Sequence, residues 1–151
     1  MSPVRSHYDE DFYAWTQAQA ALLREEKVAD LDYANLAEEI ESLGKSDRRA
    51  LESRLERLLQ HLLKWCYQPR EQSTSWRLTI REQRRRIVKL LRDSPSLRRE
   101  VAAFIEAGYP YAREQALDET GVAQAAMPAE CPWTEAQILD VTFWPETDEN
   151  D

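Results

Sequence analysis

The chain has 151 residues and a net charge of −8, and it is 42% hydrophobic and 32% charged. That length suits one domain with a core that needs no disulfide or metal staple, and that composition excludes a disordered chain. No apolar run approaches the roughly 20 residues of a bilayer-spanning helix. The opening segment MSPVRSHYDEDFYAW lacks the apolar core of a secretory signal, so a cytoplasmic protein without membrane attachment is expected.

In chain order, the apolar spacing is helical throughout and no alternating strand pattern or Asn-Gly hairpin signal occurs. A first helix is predicted from about Asp9 to Glu26, with Phe12, Trp15, Leu22 and Leu23 as its stripe. A short second helix is predicted from Tyr33 to Leu43. Asp32 is its N-cap, Gly44 its stop, and Tyr33, Leu36, Ala37, Ile40 and Leu43 its buried face. The third runs from Ser46 to Tyr67, where Leu51, Leu55, Leu58, Leu62, Trp65 and Cys66 recur at three- and four-residue spacing and Leu59 and Leu63 widen the stripe.

Pro69 ends that helix, and Ser73 to Ser75 cap a fourth, Trp76 to Asp93, with Trp76, Ile80, Ile87, Leu90 and Leu91 inward. Pro95 opens a fifth, carrying Leu97, Val101, Phe104 and Ile105. A break or kink is expected at Gly108 and Pro110, then a second half to Glu119 and a stop at Gly121. Residues 122–133 read as loop. Thr134 and Gln137 form a capping box for a short last helix to Leu139. The expected organisation is an N-terminal arm over residues 1–8, a single helical domain over 9–143 and an acidic tail over 144–151. The fold class is all-α: an irregular bundle of about six helices centred on a long basic helical hairpin.

Charge is divided along the chain. Residues 45–92 hold 14 basic and 5 acidic residues, a net of +9, and the remainder holds 6 against 23, a net of −17. Such a chain can satisfy its charges internally or present a basic face to an acidic partner. The fourth helix carries Arg77, Arg81, Arg84, Arg85, Arg86, Lys89 and Arg92 against Glu82 alone. Arg77, Arg81, Arg85 and Lys89 are the candidate anion or nucleic-acid surface. Because the whole chain is acidic and has no helix-turn-helix glycine turn, nucleic-acid binding ranks below neutralisation of neighbouring carboxylates.

Three scattered glycines exclude a phosphate-cradling loop, and no Gly-x-Ser-x-Gly elbow occurs. Cys66 and Cys131 sit in no Cys-x-x-Cys motif and read as free thiols. His61 and Cys66 lie roughly 140° apart around one helix, poor geometry for a shared zinc. Glu38 and Glu41 share a face, but no second acidic pair stands on a neighbouring helix to complete a Mg²⁺ site. No metal or cofactor is expected.

The most informative polar residues lie near apolar stripes. Gln83 sits between Ile80 and Ile87, Arg84 beside it, His61 between Leu58 and Trp65, and Glu39 between Leu36 and Leu43. Burying such groups unpaired is costly, so they are expected to find partners where helices meet, Glu39 with Arg84 or His61. A buried network that fixes helix register is preferred. The alternative is a ligand or catalytic pocket in which His61 carries a proton and Arg84 grips an anion.

The blocks FYAWTQAQAALLR, LAEEIESLG, LESRLERLLQHLLKWCYQP, SWRLTIREQRRRI, LRDSPSL and CPWTEAQIL, taken in order, resemble a bacterial family of unknown function, the twenty-ninth in the series of such domains. The resemblance spans about Tyr8 to Phe143. It implies an all-α fold and leaves function open. The missing catalytic motifs and a surplus of apolar and aromatic helix surface, including Trp133, Phe143 and Trp144, point instead to an interaction or regulatory domain, leaning away from an enzyme, that binds another protein or forms a homo-oligomer. A small enzyme or ligand binder using Glu39, His61, Gln83 and Arg84 comes second, and nucleic-acid binding third.

Overall fold

A computed structural model describes residues 8–147. The fold is an all-α helical bundle, with no strand among the described residues. Helix α1 is Phe12–Arg24, α2 Tyr33–Tyr67, α3 Thr74–Asp93, α4 Arg98–Thr120 and α5 Glu135–Leu139. Short 3₁₀ turns at Val28–Asp30, Pro69–Glu71, Pro95–Leu97 and Gln124–Ala126 lie between them. The chain forms two compact units, Met1–Ser46 and Asp47–Asp151.

In the first unit, Asp11 caps α1 by accepting from the Ala14 amide at 3.0 Å. The helix ends in a Schellman turn, with the Lys27 amide donating to Leu22 and the Glu26 amide to Leu23. Glu26 takes the left-handed position, φ 58°, where glycine is the usual occupant. Asp32 caps α2 as expected, accepting from the Asn35 amide and side chain. Its carboxylate also accepts from the Trp15 indole at 3.1 Å, and its own amide donates to Gln19. Trp15, Gln19 and Asp32 are the buried residues among those described in this unit.

Two expectations fail here. The second and third predicted helices are one 35-residue helix, α2. Gly44 does not stop it, because a glycine inside a helix costs only about 1 kcal/mol relative to alanine. The predicted buried face is also exposed: Tyr33 is 60%, Ile40 66% and Leu43 69% accessible, with Leu36 half-buried and Ala37 exposed. Periodicity marks a face as apolar; it does not supply a neighbour to cover it.

The second unit contains the large core. Leu51, Leu55, Leu58, Leu59, Leu62 and Leu63 of α2 are fully buried, each contributing roughly 1.5–3 kcal/mol. They meet Ile80, Ile87 and Leu91 of α3, Val101, Phe104, Ile105 and Tyr109 of α4, and Ile138 of α5 in one cluster. Helix α3 begins at the Ser73 cap, whose hydroxyl accepts from the Trp76 amide.

Helix α4 runs through Gly108 and Pro110 as one helix, so the expected break does not occur. Proline inside a helix costs about 3 kcal/mol, and burial of Ile105, Tyr109, Ala112 and Ala116 on the flanking turns offsets that cost. Gly108 serves packing instead: a Cβ there would meet Glu56 Cγ at 2.8 Å. Gly121 does stop the helix, at φ 70° with its amide on Leu117. The Thr134–Gln137 capping box forms in full. Trp144 and Pro145 are packed rather than tail-like. The Trp144 ring lies 4.8 Å from that of Trp65, and the Cys66 thiol donates to the Glu146 carbonyl at 3.1 Å. Residues 1–7 of the predicted arm and the last four residues of the predicted acidic tail lie outside the described residues.

Candidate functional site

Among the predicted polar residues, Arg84 has the most definite surroundings. It is fully buried, because its position on α3 one step from Gln83 and three from Ile87 aims it beneath α5. Its Nε–H donates to the Ile138 carbonyl at 2.8 Å, one Nη to Phe143 at 2.7 Å and the other to Gln137 at 3.4 Å. The guanidinium also lies 5.7 Å from the Trp144 ring centre. Burial pulls its pKa down to about 10, with nearby Asp140 opposing, so it is a cation at neutral pH. Its donors face the carbonyl end of α5, where a cation also meets the negative pole of the helix. Chemically this is a fixed peg for the C-terminal segment.

His61, on α2, is buried, and its Nδ1 meets the Arg57 carbonyl at 2.9 Å. A carbonyl can only accept, so Nδ1 carries the proton. Burial lowers the imidazole pKa, and Lys64 and Arg57 push the same way. His61 is therefore a neutral ring, a poor proton donor near pH 7. One turn on, Lys64 is 5% accessible, although nothing in its run LLKWC singles it out beyond the apolar neighbours. Its ammonium pairs with Glu119 and lies 4.9 Å from the Trp76 ring centre. Glu119 also accepts from Gln60, and the Lys64 hydrogen bond holds its carboxyl below the usual range.

Gln83 lies on α3 facing α2, where its oxygen accepts from Arg54 Nη1 at 3.2 Å. With Ala50, Ser53, Arg54 and Arg57 it lines a groove of about 230 Å³. The structure thus brings Gln83, His61 and Arg84 into the second unit, each with its own partners. Glu39 belongs to the first unit, where it accepts from the Tyr8 hydroxyl at 2.5 Å. That bond pushes the phenol up to about 12. Each of these residues has a hydrogen-bond partner within its own unit. Sequence spacing identified the polar positions, but partners on distant segments were outside its reach.

The basic surface of α3 is partly neutralised within the helix. Glu82 binds Arg85 at 3.0 Å and Arg86 at 2.5 Å, and Lys89 pairs with Asp93. Arg77 and Arg81 are exposed, and Arg81 and Arg85 flank an open groove with Leu78 and Val141. Among the described residues, no group of three or more His, Cys, Asp or Glu side chains is placed to hold a metal ion. No described helix is long and apolar enough to cross a membrane.

No curated protein and no solved structure matches the chain. A family model does, over residues 7–144, described as a domain of unknown function, DUF29. The match covers nearly the whole chain and agrees with the resemblance carried by the six sequence blocks, so the protein belongs to the DUF29 family.

Proposed function

We propose that this protein is a non-enzymatic interaction domain of the bacterial cytoplasm, whose first unit docks an apolar helix stripe into a basic-rimmed groove on another protein. The observation that carries this reading is the exposed face of α2. Tyr33, Leu36, Ile40 and Leu43 recur at helical spacing, and Tyr33, Ile40 and Leu43 are all more than half accessible. A helix that lays such i, i+3, i+7 anchors into a groove is a recurring mode of protein recognition. Phe12, Tyr13, Leu23 and Val28 add exposed apolar surface in the same unit. Scattered single apolar residues need no explanation, but a helical row of them marks an interaction site.

Charge chooses the occupant. Residues 8–46 carry three basic and ten acidic side chains, a net of −7, and Glu38, Glu39 and Glu41 stand on the same stretch of α2 as the stripe. A second copy meeting the same face would set carboxylate against carboxylate, whereas a partner with lysine or arginine around its groove would gain on-rate and specificity. The free thiol of Cys131 suits a reducing compartment.

The test is a partner isolated by co-purification, then reconstituted from purified components with wild type and with Ile40→Asp/Leu43→Asp. The double variant removes only exposed side chains, so its melting temperature is expected within about 2 °C of wild type. Its affinity for the partner is expected to fall by about a hundredfold, in line with loss of two anchors. A reconstituted complex indifferent to the double variant overturns the proposal, as does a wild-type homodimer that the variant dissociates.

A further inference from the structure

We propose that the groove between α2 and α3 lined by Ala50, Ser53, Arg54, Arg57 and Gln83 binds the phosphoryl group of a small phosphate monoester. It lies wholly in the second unit and does not depend on the docking face of the first.

The helix spacing builds one wall. Ala50, Ser53, Arg54 and Arg57 stand at i, i+3, i+4 and i+7 on α2, so they share a face. The small side chains of Ala50 and Ser53 leave room between that face and α3, where Gln83 forms the opposite wall. Gln83 is 8% accessible. A side chain so buried on an otherwise apolar stripe is there for its polar atoms, and Arg54 uses its oxygen. The bond fixes the amide so that its NH₂ group remains the donor, with no hydrogen-bond partner among the described residues.

The lining is therefore rich in donors: two guanidiniums, one hydroxyl and one amide NH₂, with the Gln83 oxygen already taken by Arg54. No carboxylate lines the groove. Neither Arg54 nor Arg57 forms an ion pair among the described residues, and the nearest acid on α3, Glu82, is bound by Arg85 and Arg86. Two positive charges with a hydroxyl and an amide NH₂ beside them, and no carboxylate in the lining, match a dianion that only accepts. A phosphate monoester carries about −1.5 to −2 at neutral pH and offers three acceptor oxygens, and arginine is the side chain best shaped to grip it in pairs of bonds. A carboxylate would leave one guanidinium without a charge partner. The groove is open on one side, so the ester substituent can project into solvent.

The experiment titrates glycerol 3-phosphate into isotopically labelled full-length protein at constant ionic strength, following the amide signals of residues 50–57 and the Gln83 side-chain NH₂. The same protein is tested for co-sedimentation with neutral vesicles with and without phosphatidic acid. A saturable shift confined to the groove is expected. Arg57→Ala is expected to weaken it by about tenfold or more, the loss of one charge-assisted contact. Arg57 is exposed and its side chain makes no bond among the described residues, so this variant should keep the wild-type melting temperature. Arg92→Ala, an exposed arginine at the far end of α3, should bind as wild type. Arg57-dependent binding of either probe supports the assignment and tells whether the phosphoryl group is presented free or on a lipid headgroup. Shifts that do not saturate, that spread over the whole basic surface, or that are equal in Arg57→Ala and Arg92→Ala overturn it.

Discussion

At the scale of single residues, Arg84 shows how a buried charge can serve the fold without a carboxylate. Its Nε and both Nη groups donate to three backbone carbonyls, which belong to α5 and the segment to Phe143. Removing it leaves buried acceptors empty. Arg84→Met is expected to lower unfolding stability by about 3 kcal/mol, and Arg84→Lys by about half as much, because a point charge cannot reach three acceptors. Chemical unfolding measures both, and unchanged midpoints would remove the peg role. His61 gives a second prediction, with a definite sign. Its pKa is lowered in the folded state, chiefly by burial. The unfolded chain thus binds the proton first, and the stability linked to the neutral ring, complete above about pH 6.5, is lost as pH falls through the folded value. His61→Asn keeps a donor near the Arg57 carbonyl but cannot titrate. Its loss of melting temperature between pH 7 and pH 5 is expected to be smaller than that of wild type.

At the scale of elements, the glycines separate two roles that look alike in sequence. Gly44 sits within α2, where an added Cβ would have nothing within 4 Å, and its φ is not positive. Gly44→Ala is therefore expected to stabilise by about 0.5–1 kcal/mol, the intrinsic helix difference. Gly108→Ala would gain the same propensity but drive a methyl against Glu56 Cγ at 2.8 Å. It is expected to gain less or to destabilise, so its unfolding midpoint should lie below that of Gly44→Ala. Equal gains at both positions would show that Gly108 is not needed for close packing. Helix caps were legible in sequence because they are local: Asp32, Ser73, Gly121 and the Thr134–Gln137 box act within four residues. The continuity of α2 and α4 was not: the cost of Gly44 is too small to end α2, even where residues 41–49 are exposed, and α4 runs through Pro110 between turns that are buried.

At the scale of the whole molecule, the two units differ in what they bury. The second holds the aliphatic cluster, whereas the first buries Trp15 with two polar side chains. Local opening should follow that difference. Amides of residues 14–24 are expected to exchange with solvent at least about a hundredfold faster than those of residues 55–66, by mass-resolved hydrogen exchange. Equal protection would mean that the first unit is held by more than its own small core. The same contrast underlies the proposed docking role, since an apolar helix face beside a small core gains most from a partner.

The sequence by itself determined the helical class, most helix ends and the leucine face of α2 from Leu51 to Leu63, because these depend on periodicity and on caps a few residues away. It also marked Gln83, Arg84 and His61 as polar residues at apolar positions. Only the tertiary structure decided their partners. Arg84 finds carbonyls more than fifty residues on, Arg54 reaches Gln83 across the hairpin, and Lys64 finds Glu119. It also decided which apolar faces are covered: Leu55 and Leu58 are buried, and Ile40 and Leu43 are open, though all four repeat on one helix with the same spacing. A pattern of side chains on a helix sets the direction in which its apolar face points. Whether that face meets a neighbour depends on where the rest of the chain lies.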